Sequence, residues 1–308
     1  MSKIDKQIRV NPRSTGVVSS ETYEKHSTEI SLKSESEELA RCRDKNIQTE
    51  NVKTVEIISF SESENLLVTR KIVAQELFHT VWNPTYLLGR MKGNRLSNPE
   101  IVRARIVEVG TWLRKYHESS LGGVQSGSDG RWLEEAFHEK IRIIRQGRLM
   151  PEAKLAQIER VFGAELSKLN KPSYLEDNGA FRCRVHGDFL IYNILIDCNQ
   201  NLHVLDFGDT RISGNLEDVS RFYSGLWAIS KTNRARHKLL GDLPRRFLEA
   251  YGVAPKILDN PYFRCNLAYN FLTHLTGQHY MKELLSWNSN REMSQITRAG
   301  LKWVYQQI

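Results

Sequence analysis

The order of apolar and polar positions divides the chain in two. Over residues 1–70 the apolar positions come in short runs rich in Val, Ile, Thr and Tyr, which predicts strands at "VVSSETYEKH" and "STEISLK". "SESEELARCRDK" follows with its acids first and its bases last, the charge order that suits a helix dipole. "TVEIISFSESENLLVTRKIV" then predicts two strands around the polar turn "SESEN". From Asn98 the period lengthens. Ile101, Ile106, Val109, Leu113 and Tyr116 recur near helical spacing, with Asn98 placed to cap the helix and Pro99 in its first turn. Two further helical patterns fill 132–170, and 216–308 is mostly helical, broken near "YGVAPKILDNPY". One strand-like island interrupts the helices at 181–208, where "RCRV", "NILID" and "LHVLDF" surround the turn "CNQN". The pattern predicts an α+β chain of two lobes, a small β-rich lobe over 1–72 and a larger helical lobe over 73–308.

Composition narrows the class. A chain of 308 residues with 40% hydrophobic residues can bury a sizeable core. No run reaches the roughly 18 apolar residues a membrane helix needs, and "MSKIDKQIRVNPRSTG" lacks a signal-peptide core, so a cytoplasmic location is expected. The four cysteines are far apart and form no C-x-x-C pair, which predicts reduced thiols and no zinc site. Lys and Arg exceed Asp and Glu by 44 to 36, giving +8. Such a balance could favour nucleic acid, but the basic runs lack interleaved aromatics and any binding module, so no nucleic-acid partner is expected. Oligomeric state is not legible.

The chemistry concentrates in the island. His186, Asp188 and Asn193 form H-x-D-x-x-x-x-N, and Asp206-Phe207-Gly208 begins thirteen residues after Asn193. If "ILID" and "LHVLD" pair as a hairpin, Asp206 returns to the same end as Asn193, with Asp188 beside both. That combination suits phosphoryl transfer, which needs one group to orient or deprotonate a hydroxyl and hard oxygen ligands for Mg²⁺. Asp197 falls at the far turn and is expected to be a turn residue; Asp209 has no assigned role.

On these residues the sequence resembles the aminoglycoside phosphotransferase and choline kinase group, related to the protein kinases. "VHGDFLIYNILID" is similar to the group's H-G-D-x-x-x-x-N core, "VLDFGDTRISGNLEDVSRF" to its metal-binding segment and downstream Asp, and "VGTWLRKYHES" to a helix ending in Tyr/Leu-His. The resemblance implies a protein-kinase-like fold that moves the γ-phosphate of ATP (or GTP) to a hydroxyl with Mg²⁺. It implies Asp188 as the catalytic base, His186 as the brace of its loop, Asn193 and Asp206 as metal ligands and Asp218 as structural support. It also calls for a strand lysine paired with a helix glutamate; Lys33 with Glu38 fits the order strand–Lys–helix–Glu. Backbone contacts to the adenine are expected from Thr69, Arg70, Lys71 and Ile72.

Two departures stand out. Gly16 is the sole glycine before Lys33, so the phosphate loop is degenerate, and a catalytically inactive binding or regulatory module is the alternative reading. "LGGVQSGSDGRW" is neither G-x-G-x-x-G nor a Walker loop and reads as a connection. Eleven residues separate Asp206 from Asp218 and no A-P-E follows. That leaves little room for a peptide platform, and the expected partner is a small-molecule or sugar-like hydroxyl acceptor. Arg142, Arg145 and Arg148 share a predicted helix face; a solvated basic face explains them, and an anionic acceptor is the functional option.

Overall fold

The computed structural model describes residues 7–11, 14–28, 31–82, 99–121, 131–171, 173–232, 234–285 and 291–308. Five strands, β1 (Gln7–Asn11), β2 (Ser14–Val18), β3 (Thr22–His26), β5 (Ile57–Ser61) and β6 (Leu66–Arg70), form an antiparallel sheet in the order β1-β2-β3-β6-β5. Helix α1 (Lys33–Asp44) follows β3. Among the described residues of "STEISLK" no strand forms. The chain leaves the sheet at His26, Glu29 and Ile30 lie outside the described residues, and Lys33 opens the helix. Helix α1 begins at the end of that segment, with Leu39 and Cys42 on its buried side and Glu35 in its first turn.

A second sheet carries the predicted hairpin. β9 (Ile194–Asp197) and β10 (Leu202–Val204) pair antiparallel, Ile194 opposite Val204 and Ile196 opposite Leu202. β7 (Ala74–Glu76) flanks β9, and β4 (Val52–Thr54) runs parallel to β10, so a strand from the first 72 residues joins the hairpin's sheet. Asp197 ends β9 and closes the turn, its Oδ1 accepting from the N–H groups of Asn199 at 2.8 Å and Asn201 at 2.9 Å. β8 (Arg182–Val185) pairs with β11 (Arg211–Gly214) in a separate two-stranded sheet.

The remainder is helical: α2 (Leu77–Trp82), α3 (Pro99–Glu118), α4 (Arg131–Gln146), α5 (Glu152–Leu166), α6 (Tyr174–Asp177), α7 (Leu216–Lys231), α8 (Arg234–Leu240), α9 (Leu243–Tyr251), α10 (Pro261–Leu285) and α11 (Arg291–Tyr305). The expected cap Asn98 and most of "LGGVQSGSDGRW" lie outside the described residues. Helix α7 is buried almost all round and is the axis of this part, packed by α9, α10 and α11. α3 lies tightly on α9 because Gly110 has no side chain; a Cβ there would sit 2.8 Å from the Phe247 carbonyl oxygen. Cys42, Cys183 and Cys265 are buried free thiols, and Cys198 is an exposed one. Among the described residues no helix is long and apolar enough to cross a membrane.

An aromatic column joins this frame to the island. Trp112 of α3 stacks on Tyr116 and Phe189, and Phe189 packs on Phe222 of α7, which packs on Phe247 of α9. Phe189 directly follows Asp188, and Phe207, in contact with His186 at 4.6 Å between centroids, directly follows Asp206. Each chemical aspartate is thus fixed by a wholly buried ring one residue later.

Candidate active site

Strand β8 delivers the chain into His186-Gly187-Asp188. Gly187 takes φ +82°, and a Cβ there would run into the Asp209 carbonyl, so the turn requires glycine. The loop's backbone is held by Asp218, at the start of α7 and fully buried. Its carboxylate accepts from His186 N–H at 2.7 Å and Gly187 N–H at 3.0 Å. The same carboxylate accepts from His117 Nε2–H at 2.9 Å; His117 Nδ1 accepts from the Tyr251 hydroxyl, which accepts from Asn215 Nδ2. Burial alone would raise the Asp218 pKa, but His117 and the loop's N–H groups hold it below the usual carboxylate range.

His186 ties the loop to the hairpin. Its Nε2–H donates to the Leu205 carbonyl at 2.8 Å, leaving Nδ1 to accept from the Asp188 N–H at 3.3 Å. Leu205 N–H donates to the Asn193 carbonyl at 2.9 Å, so the two ends of the hairpin meet. Asn193, in a 3₁₀ turn before β9, points Nδ2 at the Asp188 carboxylate (2.9 Å) and carbonyl (2.8 Å), which leaves its amide oxygen as the unused end. Asp206 adopts left-handed geometry, φ 62° and ψ 63°, and its side chain is about a third exposed. Two hard oxygen donors therefore stand at one end of the hairpin, a set that fits Mg²⁺, which takes one or two protein ligands and completes its shell with phosphates and water.

The lysine at this cluster is not the expected one. Lys25 of β3 places Nζ 2.8 Å from Asp206 Oδ1 and 2.7 Å from Glu35 Oε2 of α1. Burial would depress Lys25, but the two carboxylates raise its pKa above the ordinary lysine value, so it is a cation. Lys33 is instead exposed and pairs with Glu62 at 3.0 Å. Glu38 is buried one helical turn beyond Glu35 and accepts from Arg41 Nε at 2.9 Å and the Tyr116 hydroxyl at 2.8 Å, which locks α1 to α3. The reason is register: β3 ends at His26, well before Lys33, so the sheet has already turned Lys25 inward. A lysine at an inward position of "TYEKH", ahead of the acids of a helix, was the signal to follow.

The other expected residues divide. Thr69 is buried in β6; Arg70 pairs with Glu56; Lys71 donates its N–H to the Glu21 carbonyl and its Nζ to the Ser19 carbonyl; Ile72 lies in the link from the first sheet to β7. Arg142 and Arg145 are exposed and answered by Glu139, and by Glu152 and Glu159, so they form an ion-paired surface rather than a pocket. Arg148 lies past the end of α4 with φ 50°, so it does not continue their helix face. Gly16 lies in β2 against the Tyr23 ring.

Two arginines went unforeseen. Arg221 of α7 forms a short ion pair with Asp188 Oδ1, on the side of the carboxylate opposite Asn193. Burial would raise Asp188, but the Arg221 guanidinium holds its pKa below the usual value. Arg211 of β11 sits over the Trp132 ring, its Cζ 3.6 Å from the centroid, and pairs with Glu217. For Arg221, an arginine as the sole charge in the run "VSRFYSGLW" was the sequence's hint.

A profile of the phosphotransferase enzyme family matches residues 22–281. Among solved structures, a glucosamine kinase in complex with glucosamine, ADP and inorganic phosphate superposes with a TM-score of 0.65 at 13% identity, over 96% of this chain and 79% of that one. A choline/ethanolamine kinase family protein from Mesorhizobium loti gives 0.58 at 13% identity, over 97% and 94%. The ADP-bound aminoglycoside phosphotransferase APH(2″)-Ib gives 0.54 at 14% identity, over 97% and 93%. A search of curated proteins returns no match. The fold is the α+β, protein-kinase-like one of these kinases, and the chain belongs to the phosphotransferase enzyme family.

Proposed function

We propose that the protein transfers the γ-phosphate of ATP, with GTP as the alternative donor, to a hydroxyl of a small or sugar-like acceptor. The observation that carries this reading is the convergence of Lys25, Glu35, Asp188, Asn193 and Asp206 from separate elements on one place. The acceptor hydroxyl is oriented by Asp188, which takes its proton as the oxygen attacks the γ-phosphorus and the bond to the β,γ-bridging oxygen breaks. Asn193 and Asp206 would hold Mg²⁺, which would offset the negative charge of the nucleotide's phosphates. Lys25, steadied by Glu35, moves from Asp206 to the α- and β-phosphates. His186 and Asp218 fix the loop, and the link from Thr69 to Ile72 borders the adenine. With Lys25 in place, the degenerate glycine loop alone does not favour an inactive module.

The two lysines separate this reading from the one that order alone suggests. Charge-assisted hydrogen bonds are worth about 1.5–3 kcal/mol, roughly 10- to 100-fold in affinity. Lys25→Ala should raise the KM for ATP by that factor. Lys33→Ala, which removes an exposed pair, should leave it unchanged. Steady-state ADP release against ATP concentration checks both; equal effects of the two substitutions would refute the assignment.

A further inference from the structure

Helix α7 grips the loop that carries Asp188 at three points. Asp218 accepts from the loop's backbone at His186 and Gly187. Arg221, three residues further and on the same helix face, pairs with Asp188 Oδ1. Phe222 packs on the ring of Phe189, the residue after Asp188, at 5.3 Å between centroids. Backbone, carboxylate and flanking ring are thus all set from one helix. Arg221 is itself fixed. Its guanidinium reaches Asp188 through Nη2 and, at 3.4 Å, Asn270 Oδ1 of α10 through Nη1. Asn270 Nδ2 donates in turn to Ser220 Oγ at 3.1 Å, and Ser220 donates to the Glu217 carbonyl at 2.8 Å. Asp209 also attracts the guanidinium, and the ion pair goes to Asp188.

The two oxygens of Asp188 are therefore held from two directions. Oδ2 accepts from Asn193 Nδ2 at 2.9 Å, and Oδ1 faces Arg221. Asn193 belongs to the metal side as well, so Arg221 is the anchor on the side away from the metal. A buried ion pair adds little net stability over apolar contacts of the same size. What this one supplies is a single orientation of the carboxylate, because a planar fork tied at both ends has little freedom to turn. We infer that Arg221 is a positioning residue for the phosphotransfer: it fixes the Asp188 carboxylate in the orientation that receives the acceptor hydroxyl, and acts on the reaction through Asp188 alone. The inference rests on the phosphotransfer reading and adds a residue to the same site. A base must stand within hydrogen-bond reach of the proton it takes, and a displacement of about 1 Å can cost on the order of 100-fold in rate.

A double-mutant cycle tests it. Arg221→Met, Asp188→Asn and the two together are compared in kcat, KM for ATP and melting temperature. The acceptor is whichever of glucose, glucosamine, ethanolamine, glycerate or water alone gives the fastest ADP release with the wild type. Arg221→Met should lower kcat by about 10- to 100-fold, with KM for ATP unchanged. Added to Asp188→Asn, the same substitution should leave kcat within about twofold, because the group it positions is already gone. Arg221→Lys keeps the charge but not the fork. It should recover part of the lost kcat, and it guards against poor folding of the Met variant. A loss that multiplies that of Asp188→Asn overturns the inference, since the guanidinium would then act directly on the phosphoryl group or the acceptor. A raised KM for ATP in Arg221→Met overturns it by assigning the guanidinium to the donor, and an undiminished kcat overturns it outright. Each of these leaves the phosphotransfer reading standing. No ADP release from the wild type with any member contradicts both.

Discussion

Asp188→Asn should lower turnover by roughly 10²- to 10⁴-fold, the range a positioned general base contributes. The geometry adds a second consequence. The new amide would keep the contact with Asn193 but leave the Arg221 guanidinium buried and unpaired, so thermal stability should fall as well. A drop in activity alone could then be misread as unfolding. The double variant Asp188→Asn/Arg221→Met removes the stranded charge, since Met replaces the guanidinium by an apolar chain of similar length. Its melting temperature should return toward the wild-type value while turnover stays low. Recovery of activity in the double variant would show that Asp188 acts only as a counter-ion and would remove it from the chemistry.

The largest structural effect is expected at Asp218. Its carboxylate gathers two loop N–H groups and the His117 imidazole in a wholly buried position. Asp218→Ala leaves three buried donors unsatisfied. Breaking a buried network of this kind costs about 3–5 kcal/mol, a large share of the roughly 5–15 kcal/mol by which proteins are stable. A fall in Tm on the order of 10 °C, read by calorimetry, is the expected result. The sign of the pH dependence follows from the depressed pKa. The stability Asp218 contributes is full above its unfolded value of 3.8 and is lost as pH falls through the lower folded value. The gap between wild type and variant should therefore hold at neutral pH and close in acid. Asp218→Asn keeps one acceptor oxygen and should lie between the two.

The residues nearest the hairpin were legible because local rules agree there. Short apolar runs on either side of "CNQN" predict the pairing of β9 and β10, and the pairing forces Asn193 and Asp206 to one end. Lys25 was missed because the sheet's register had to be known before an inward lysine could be told from a solvated one. Propensity put a strand at "STEISLK", whose last residue, Lys33, instead opens α1. Glu38 was a sound choice by spacing, since Glu35 and Glu38 lie on one helix face; which of them meets the lysine depends on tertiary packing against Tyr116. The arginines were hidden for another reason. Arg142 and Arg145 form a visible cluster in the sequence and are answered by neighbouring acids, whereas Arg221 and Arg211 come from α7 and β11 and meet in the folded chain alone.

The central claim is that the cluster around Asp206 and Asp188 moves a phosphoryl group to a small hydroxyl. Incubation of the full chain with γ-labelled ATP, Mg²⁺ and a panel of sugars, amino sugars, amino alcohols and hydroxy acids, followed by ³¹P NMR and separation of labelled products, tests it most directly. The expected result is a new phosphate monoester on a small molecule, formed one-for-one with ADP, abolished by chelation of Mg²⁺ and by Asp206→Ala. A folded wild-type protein that leaves the terminal phosphate of ATP untouched across the whole panel, or whose labelled product persists undiminished in Asp206→Ala, would contradict it.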